Sequence, residues 1–373
     1  MPAQAPGSGR LSAPRVVATG VPVPLRGSGV APGSRLTIEQ ARRGGWRRAA
    51  RARADRRGRY RVRVTPKGRG RRYRFRAVVA GAAPTRALRL RTRGVTLDAV
   101  GDVNLGDGVA AVMGQRGARY PWSGVARELR SADVAFGNLE CAVSTRGQAI
   151  PKEFNFRGRP GALRVARRYA GMDVFNLANN HTGDFGTTAL LDTVRLVRRA
   201  GIKGIGAGRN LAAASRPRVV RRLGLRIAFV GYSDINPAGF PAGPQRPGTS
   251  PATPSAVAKG VRRASRRADV VVASFHWGVE RATRPNARQR GLAGVALRAG
   301  ADAVVGAHPH VLQPVERRGR RVVAYSLGNF VWSAGSGVTA RTGILRLRLT
   351  GRGVAGARLI PARIAGARPA IVR

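Results

Sequence analysis

The chain of 373 residues has one cysteine, Cys141, and four histidines, so neither a disulfide framework nor a closed thiolate cage for zinc is open to it. Acidic residues are scarce as well: 17 Asp and Glu stand against 69 Lys and Arg, a formal net charge of +52. Lysine is nearly absent, with four residues among those cations. No uninterrupted apolar run reaches the roughly 18 residues that a membrane-spanning helix needs. Near the start, "VVATGVPVPL" follows Arg10 and Arg15 as the core of a secretion signal would. Two prolines and a glycine interrupt a helix there, and no small-x-small cleavage site follows, so the segment reads as a strand and no signal peptide is visible.

What is abundant is arginine, together with alanine, glycine and proline. Such a surface attracts polyanions, whether nucleic acid, acidic lipid or acidic envelope polymer. The same profile follows from the codon bias of a GC-rich genome. That compositional origin ranks first, envelope polymer or lipid second, and nucleic acid last.

The length suits about two domains. Residues 1–94 carry 25 basic and 2 acidic side chains. There "RLTIEQ", "GRYRVRVTP", "YRFRAVVAG" and "ALRLRT" alternate apolar and arginine residues with period two, which predicts a small β-sandwich of Ig-like texture with an Arg-rich outer face. A solvated basic face on an accessory domain is the first reading of it, and a polyanion-binding or spacing module the second. From Val95 the pattern changes. Short apolar runs ("VTLDAVG", "DVAFG", "DVFNLA", "RIAFVGYS", "DVVVASF", "DAVVGA", "RVVAYSLG") alternate with helical segments such as "TTALLDTVRLVRRAG", which predicts an α/β domain over 95–373 around a partly parallel or mixed sheet. The stretch "NPAGFPAGPQRPGTSPATP" predicts a long loop of the kind that borders a site.

Groups that carry chemistry in open α/β sheets gather beyond the carboxyl ends of the strands. Here those ends carry Asp102 and Asn104, then Asn138 and Glu140, then Asn179, Asn180, His181 and Asp184, then His276, and finally His308 and His310 in "GAHPH". All four histidines thus stand beside carboxylates and amides, a donor set that suits a divalent ion of the Mn, Fe or Zn type. An H-x-H pair on an extended segment points both rings to one side. Trp277, next to His276, is a candidate stacking wall for substrate, with ordinary packing an equal alternative. Asn329 in "SLGNF" is a candidate pocket residue. Cys141 follows Glu140 and so points to the opposite face, as a buried inert thiol. Glu280 and Arg281 read either as substrate contacts or as an exposed salt pair.

The strings "GDVNLGD", "GNLE", "LANNHTGDFG", "FHWGVE", "GAHPHVLQPVE" and "AYSLGNF", in this order from about Thr96 to Val331, resemble the CapA family of bacterial capsule (poly-γ-glutamate) synthesis proteins, which belongs with the calcineurin-like metallophosphatases. The resemblance implies a metallophosphatase-like αββα sandwich with one or two divalent ions. It implies Asp102, Asn104, Glu140, Asn180, His276, His308 and His310 as ligands, and His181 as catalytic imidazole with Asp184 behind it. Two positions depart from the phosphatase pattern: Asn104 stands where a histidine is usual, and Asn138 and Glu140 stand where a bridging aspartate is usual. The implied function is a metal-dependent hydrolase of phosphoester or γ-glutamyl bonds in capsule or envelope-polymer synthesis. The alternatives are a non-catalytic protein that binds or exports an anionic polymer, and a phosphoesterase of nucleotides or nucleic acid. Poly-γ-glutamate or other envelope material is the implied partner and the cell envelope the implied location, with membrane association and oligomeric state left open.

Overall fold

A computed structural model of the protein describes residues 9–66, 72–333 and 335–372. The chain divides into two compact units, one running to Gly94 and taking in Arg221–Leu225, the other holding Val95–Val220 and Arg226–Arg373. Among the described residues no helix is long and apolar enough to cross a membrane.

Period-two alternation governs the first unit. In the strand Arg72–Val79, Tyr73, Phe75 and Ala77 are buried while Arg72 and Arg74 are exposed, the pattern of a sheet with one dry face. Five strands form one sheet, in the order Val16–Ala18, Leu88–Arg93, Arg72–Val79, Arg35–Arg42 and Gly45–Arg53. Arg10–Ser12, Val23–Ser28 and Tyr60–Val64 form a second sheet. Val23, Leu25 and Tyr60 from the smaller sheet pack with Ile38, Phe75 and Leu90 from the larger, so the unit is a β-sandwich. The early segment "VVATGVPVPL" resolves into the strand Val16–Ala18 and the start of Val23–Ser28.

The second unit is a mixed α/β structure. Its eight-stranded sheet runs in the order Lys203–Ile205, Met172–Asn176, Val134–Leu139, Val95–Val103, Arg341–Thr350, Gly353–Ala365 and Arg368–Ile371, with Asn329–Val331 also paired to Val95–Val103. The four strands from Lys203–Ile205 to Val95–Val103 are parallel and the C-terminal three antiparallel. A six-stranded sheet has Leu225–Ser233, Val270–His276, Ala303–Ala307 and Arg321–Ala324 as its parallel centre. Central strands read as continuous apolar runs because both faces are covered, and every residue of Val270–His276 is buried.

One face of the eight-stranded sheet holds Val100, Leu139 and Phe175 against Leu163 and Val197 of the helices Pro160–Arg168 and Gly186–Arg199. One face of the six-stranded sheet holds Val271 and Phe275 against Val257, Val261 and Leu292 of Pro254–Ser265 and Ala287–Ala299. Between the sheets Phe136 stacks on Phe229, with ring centroids 5.6 Å apart. The result is a helix–sheet–sheet–helix stack whose parallel strands end along one edge. At that edge the backbones come close: the Asp102 N–H donates to the Gly328 carbonyl at 2.9 Å. A Cβ on Gly101 would overlap the same carbonyl oxygen, so only glycine fits beside Asp102.

The strands Val95–Val103 and Arg341–Thr350 are tied by a buried ion pair. Asp98 is fully buried and takes Arg346 Nε at 2.8 Å and Nη2 at 2.6 Å, a two-pronged contact across directly paired residues. Burial, working against the Arg346 hydrogen bonds and charge, leaves the Asp98 carboxyl above its ordinary range. Removing the guanidinium leaves an uncompensated buried carboxylate. We predict that Arg346→Met lowers the unfolding free energy by about 3 kcal/mol, read as a shift in the urea midpoint; an unchanged midpoint would show that the pair contributes nothing to stability.

Candidate metal centre

Asn138, in the strand Val134–Leu139, organises the edge where the sheets meet. Its Nδ2 lies 2.8 Å from Asp102 Oδ1, 3.3 Å from Glu140 Oε2 and 3.3 Å from His276 Nδ1. Its Oδ1 accepts from Asn176 Nδ2 at 3.0 Å and Asn179 Nδ2 at 3.3 Å. One buried amide thus sets the position of two carboxylates and an imidazole that come from both sheets.

Around it the ligand-type atoms converge in two groups. Asp102, Glu140 and His276 form one, and Glu140, His308 and His310 the other; within each group the ligand atoms lie within 4.8 Å of one another. Glu140 belongs to both, with Oε1 3.6 Å from His276 Nε2 and 3.8 Å from His310 Nε2. Asn180 Oδ1 faces the same place, 2.7 Å from His276 Nε2. Two buried atoms here have no hydrogen-bond partner: Glu140 Oε1 and His308 Nδ1. Stranding such atoms in the interior is costly, and a divalent cation supplies what both lack. The residues present therefore fit a metal ion, and the absence of a thiolate among them points to an ion served by N and O donors.

Electrostatics agree with that fit. Burial, then the neighbouring Asp102 charge, push the Glu140 carboxyl well above its ordinary range. Burial also works to raise Asp102, but the hydrogen bond and charge of His310, 3.4 Å away, prevail and hold it low. The counterpart is His310, which burial would lower but which Asp102 raises. His276 is pushed well below the ordinary imidazole range by burial, then by the other imidazoles, and His308 is lowered to about 4 by burial and then by His310. Without an ion, then, Glu140 and His310 are both biased toward their protonated forms. A divalent cation reverses both preferences, because it favours carboxylate and neutral imidazole.

The histidine pair reaches the cluster by a different backbone route than its spacing predicts. The strand Ala303–Ala307 ends before His308, and His308 and His310 have φ of 97° and 57°. Non-glycine residues seldom take this left-handed region, and they hold it only where the surroundings over-determine them. The Asp102 carboxylate accepts the His308 N–H at 3.3 Å, and Asn329 Oδ1 lies 2.9 Å from His310 Nδ1. The turned backbone leaves the ring centroids 5.9 Å apart.

Beside the cluster His181 Nδ1 lies 2.7 Å from Asp184 Oδ2, and Asp184, fully buried, also takes Lys152 Nζ at 2.8 Å and the Phe156 N–H at 2.8 Å. Lys152 Nζ further reaches the Asn180 carbonyl at 2.6 Å and lies 3.1 Å from His181 Nδ1. The shorter contact assigns the Nδ1 proton to the carboxylate and leaves Nε2 open. Burial lowers the His181 pKa, with Asp184 opposing, and Phe156 stacks on the ring at 4.2 Å. Lys152, Phe156, Asn176, which joins Asn138 in the amide network, and Trp332, whose ring centroid lies 4.8 Å from that of His310, are not marked by the sequence pattern. Lys152 and Phe156 sit in an irregular loop with no periodicity to flag them.

Three sequence expectations are corrected. Trp277 is fully buried, stacked on Phe275 at 4.3 Å, and its indole N–H donates to the Tyr325 carbonyl at 2.8 Å, so it belongs to the outer core and is no substrate wall. The reason is elementary: neighbours on a strand face opposite ways, and His276 takes the inner face. Asn104 spends its amide oxygen on the Gly106 N–H at 2.8 Å, which turns the chain and argues against its ligand role. Asn329 holds His310 and donates to the Thr339 carbonyl, so it positions that ring rather than lining an open pocket. Cys141 is buried with its thiol pushed up to about 12 by desolvation. Glu280 and Arg281 are exposed.

Two facing sheets with a buried N/O donor cluster at their common edge define an α/β protein built around a candidate metal centre. Residues 96–334 match the family model described as bacterial capsule synthesis protein PGA_cap, and the chain belongs to that family. It is 34% identical over 277 residues to the PGA biosynthesis protein CapA of Bacillus subtilis (strain 168), covering 74% of this chain and 73% of that protein. It is 31% identical over 278 residues to the capsule biosynthesis protein CapA of Bacillus anthracis, covering 72% and 67%. A probable polyglutamine synthesis accessory protein of Mycobacterium tuberculosis (strain ATCC 25618 / H37Rv) is 33% identical over 232 residues, covering 57% and 60%.

Two predictions follow from the cluster. The His308→Ala/His310→Ala double variant is expected to lose bound metal in elemental analysis of protein purified without a histidine tag; undiminished metal would remove these rings from the ligand set. Because Glu140 and His310 are both raised, protons compete with an ion for these groups. Metal affinity is therefore expected to fall as pH drops, by about tenfold per unit for each proton displaced. A metal dissociation constant that is flat between pH 5 and 8 would contradict the assignment.

Proposed function

We propose that this chain is a divalent-metal-dependent hydrolase of bacterial capsule or envelope-polymer synthesis, acting on phosphoester or γ-glutamyl bonds. In this reading residues 95–373 form a metallophosphatase-like αββα domain, and residues 1–94 an accessory module of the Ig-like kind. The observation that carries it is Glu140 Oε1, buried without a hydrogen-bond partner and shared by two groups of ligand-type atoms. Asp102, Glu140, Asn180, His276, His308 and His310 would hold one or two ions of the Mn, Fe or Zn type. When bound, such an ion polarises a substrate oxygen and stabilises the negative charge that develops on it.

The protein's own groups do the rest. Asn138 keeps Asp102, Glu140 and His276 oriented, and Asn329 does the same for His310. His181 offers Nε2 for proton transfer at the leaving group while Asp184 holds its Nδ1 proton, and Lys152 neutralises Asp184. The relatives' names concern PGA, capsule and polyglutamine; we carry an envelope-polymer role to this chain, at the cell envelope, and its +52 charge suits a polymer that is anionic. The same charge favours a second reading, a non-catalytic polymer-binding or export protein.

Positioned imidazoles contribute about 10²–10⁴-fold to rate. His181→Ala is therefore expected to lower kcat by about that factor on whichever of a generic phosphodiester or a γ-glutamyl peptide the wild type cleaves, with metal content unchanged. Full activity in that variant would remove His181 from the chemistry. A wild type that binds metal and polymer but cleaves neither substrate would establish the binding reading instead.

A further inference from the structure

The sandwich carries a second feature that the metal centre does not use. On the outer face of its five-stranded sheet, the strands Arg72–Val79 and Leu88–Arg93 pair with Arg72 directly opposite Arg91 and Arg74 directly opposite Arg89. All four are exposed, and with Arg15 they line a cleft of about 490 Å³. Like charges set opposite one another across a ladder destabilise the sheet, and no carboxylate of the module is paired with any of the four. Residues 1–94 contain two carboxylates, Glu39 and Asp55. Glu39 is held by Arg76 at 2.8 Å and Asp55 by Arg59 at 3.1 Å. The cleft is thus cationic on every charged position of its lining.

We propose that this cleft is a binding site for a linear polycarboxylate. Three observations select that occupant. The cations are all guanidinium groups, whose planar fork matches an oxyanion, carboxylate or phosphate, with two parallel hydrogen bonds. Their repeat, two residues along each strand and one across the ladder, roots the side chains roughly 5–7 Å apart, which suits a chain with an acid on every unit. Nucleic acid would call for free aromatic faces on which bases stack. Here Tyr73 points into the core, and Trp46 is covered by Arg76 at 4.3 Å and Arg74 at 5.7 Å. The choice of a carboxylate polymer rests on the envelope-polymer reading above; the cleft is independent of the metal centre.

The test uses the full chain and two charge-matched double variants. Arg74→Gln/Arg89→Gln removes one opposed pair from the cleft. Arg26→Gln/Arg61→Gln removes an equally exposed, directly opposed pair from the three-stranded sheet. Dissociation constants are measured for poly-γ-glutamate and for single-stranded DNA of equal charge over a range of salt. The cleft variant should bind poly-γ-glutamate at least about tenfold more weakly with a shallower salt slope, and the control less than about threefold more weakly. Its melting midpoint should equal or exceed the wild type's, because a repulsion has been removed, which separates lost binding from lost folding. Equal weakening in both variants would reduce the effect to net charge and overturn the site. Tighter cleft-dependent binding of DNA would overturn the polycarboxylate. Metal content should be unchanged in the cleft variant. Polymer affinity should survive His308→Ala/His310→Ala; its loss there would move the polymer to the metal centre and overturn the cleft.

Discussion

Two carboxylates buried within reach of a single amide are the constraint on which the second unit turns. Asp102 and Glu140 are both fully buried, and Asn138 Nδ2 reaches each of them. An amide nitrogen has two hydrogens, and His276 Nδ1 is a third neighbour, so hydrogen bonding alone leaves this group short. The raised Glu140 carboxyl and the raised His310 imidazole both favour a bound proton, which eases that shortage. Either a proton or a cation must sit there, and that choice couples the centre to pH.

The constraint reaches back into the sheets. Bringing Asp102 to the cluster requires Val95–Val103 to lie against Gly328, which only glycine at 101 permits. It also brings Asn329, one residue on, to His310. The left-handed backbone at His308 and His310 is a second local cost, held in place by the Asp102 carboxylate and by Asn329. The region combines tight backbone approach, strained dihedrals and stranded polar atoms. A core selected for stability alone would avoid all three.

The layers were legible because alternation and apolar runs are local signals. Arg72–Val79 announces its wet face in eight letters, and the buried run of Val270–His276 announces a central strand. The residue types at the strand ends were legible for the same reason. Side-chain direction was not always so: period two would have moved Trp277 to the outer core had it been applied to that residue as it was to Cys141. The route of the histidine pair was out of reach, since left-handed φ at a histidine leaves no compositional mark. Lys152 was missed because its three partners, Asn180, His181 and Asp184, lie some thirty residues further along the chain, and only folding brings them together.

The single thiol has a practical consequence. Cys141 is wholly buried, takes the Leu105 N–H at 3.5 Å and titrates only near 12, so in the folded protein it presents almost no thiolate to a reagent. An engineered surface cysteine would therefore be the sole reactive position for a fluorophore or spin label. Conversely, any modification of Cys141 itself reports an opening of the core next to Glu140. The rate at which a thiol reagent labels it would serve as a built-in clock for how often the strands around Glu140 come apart.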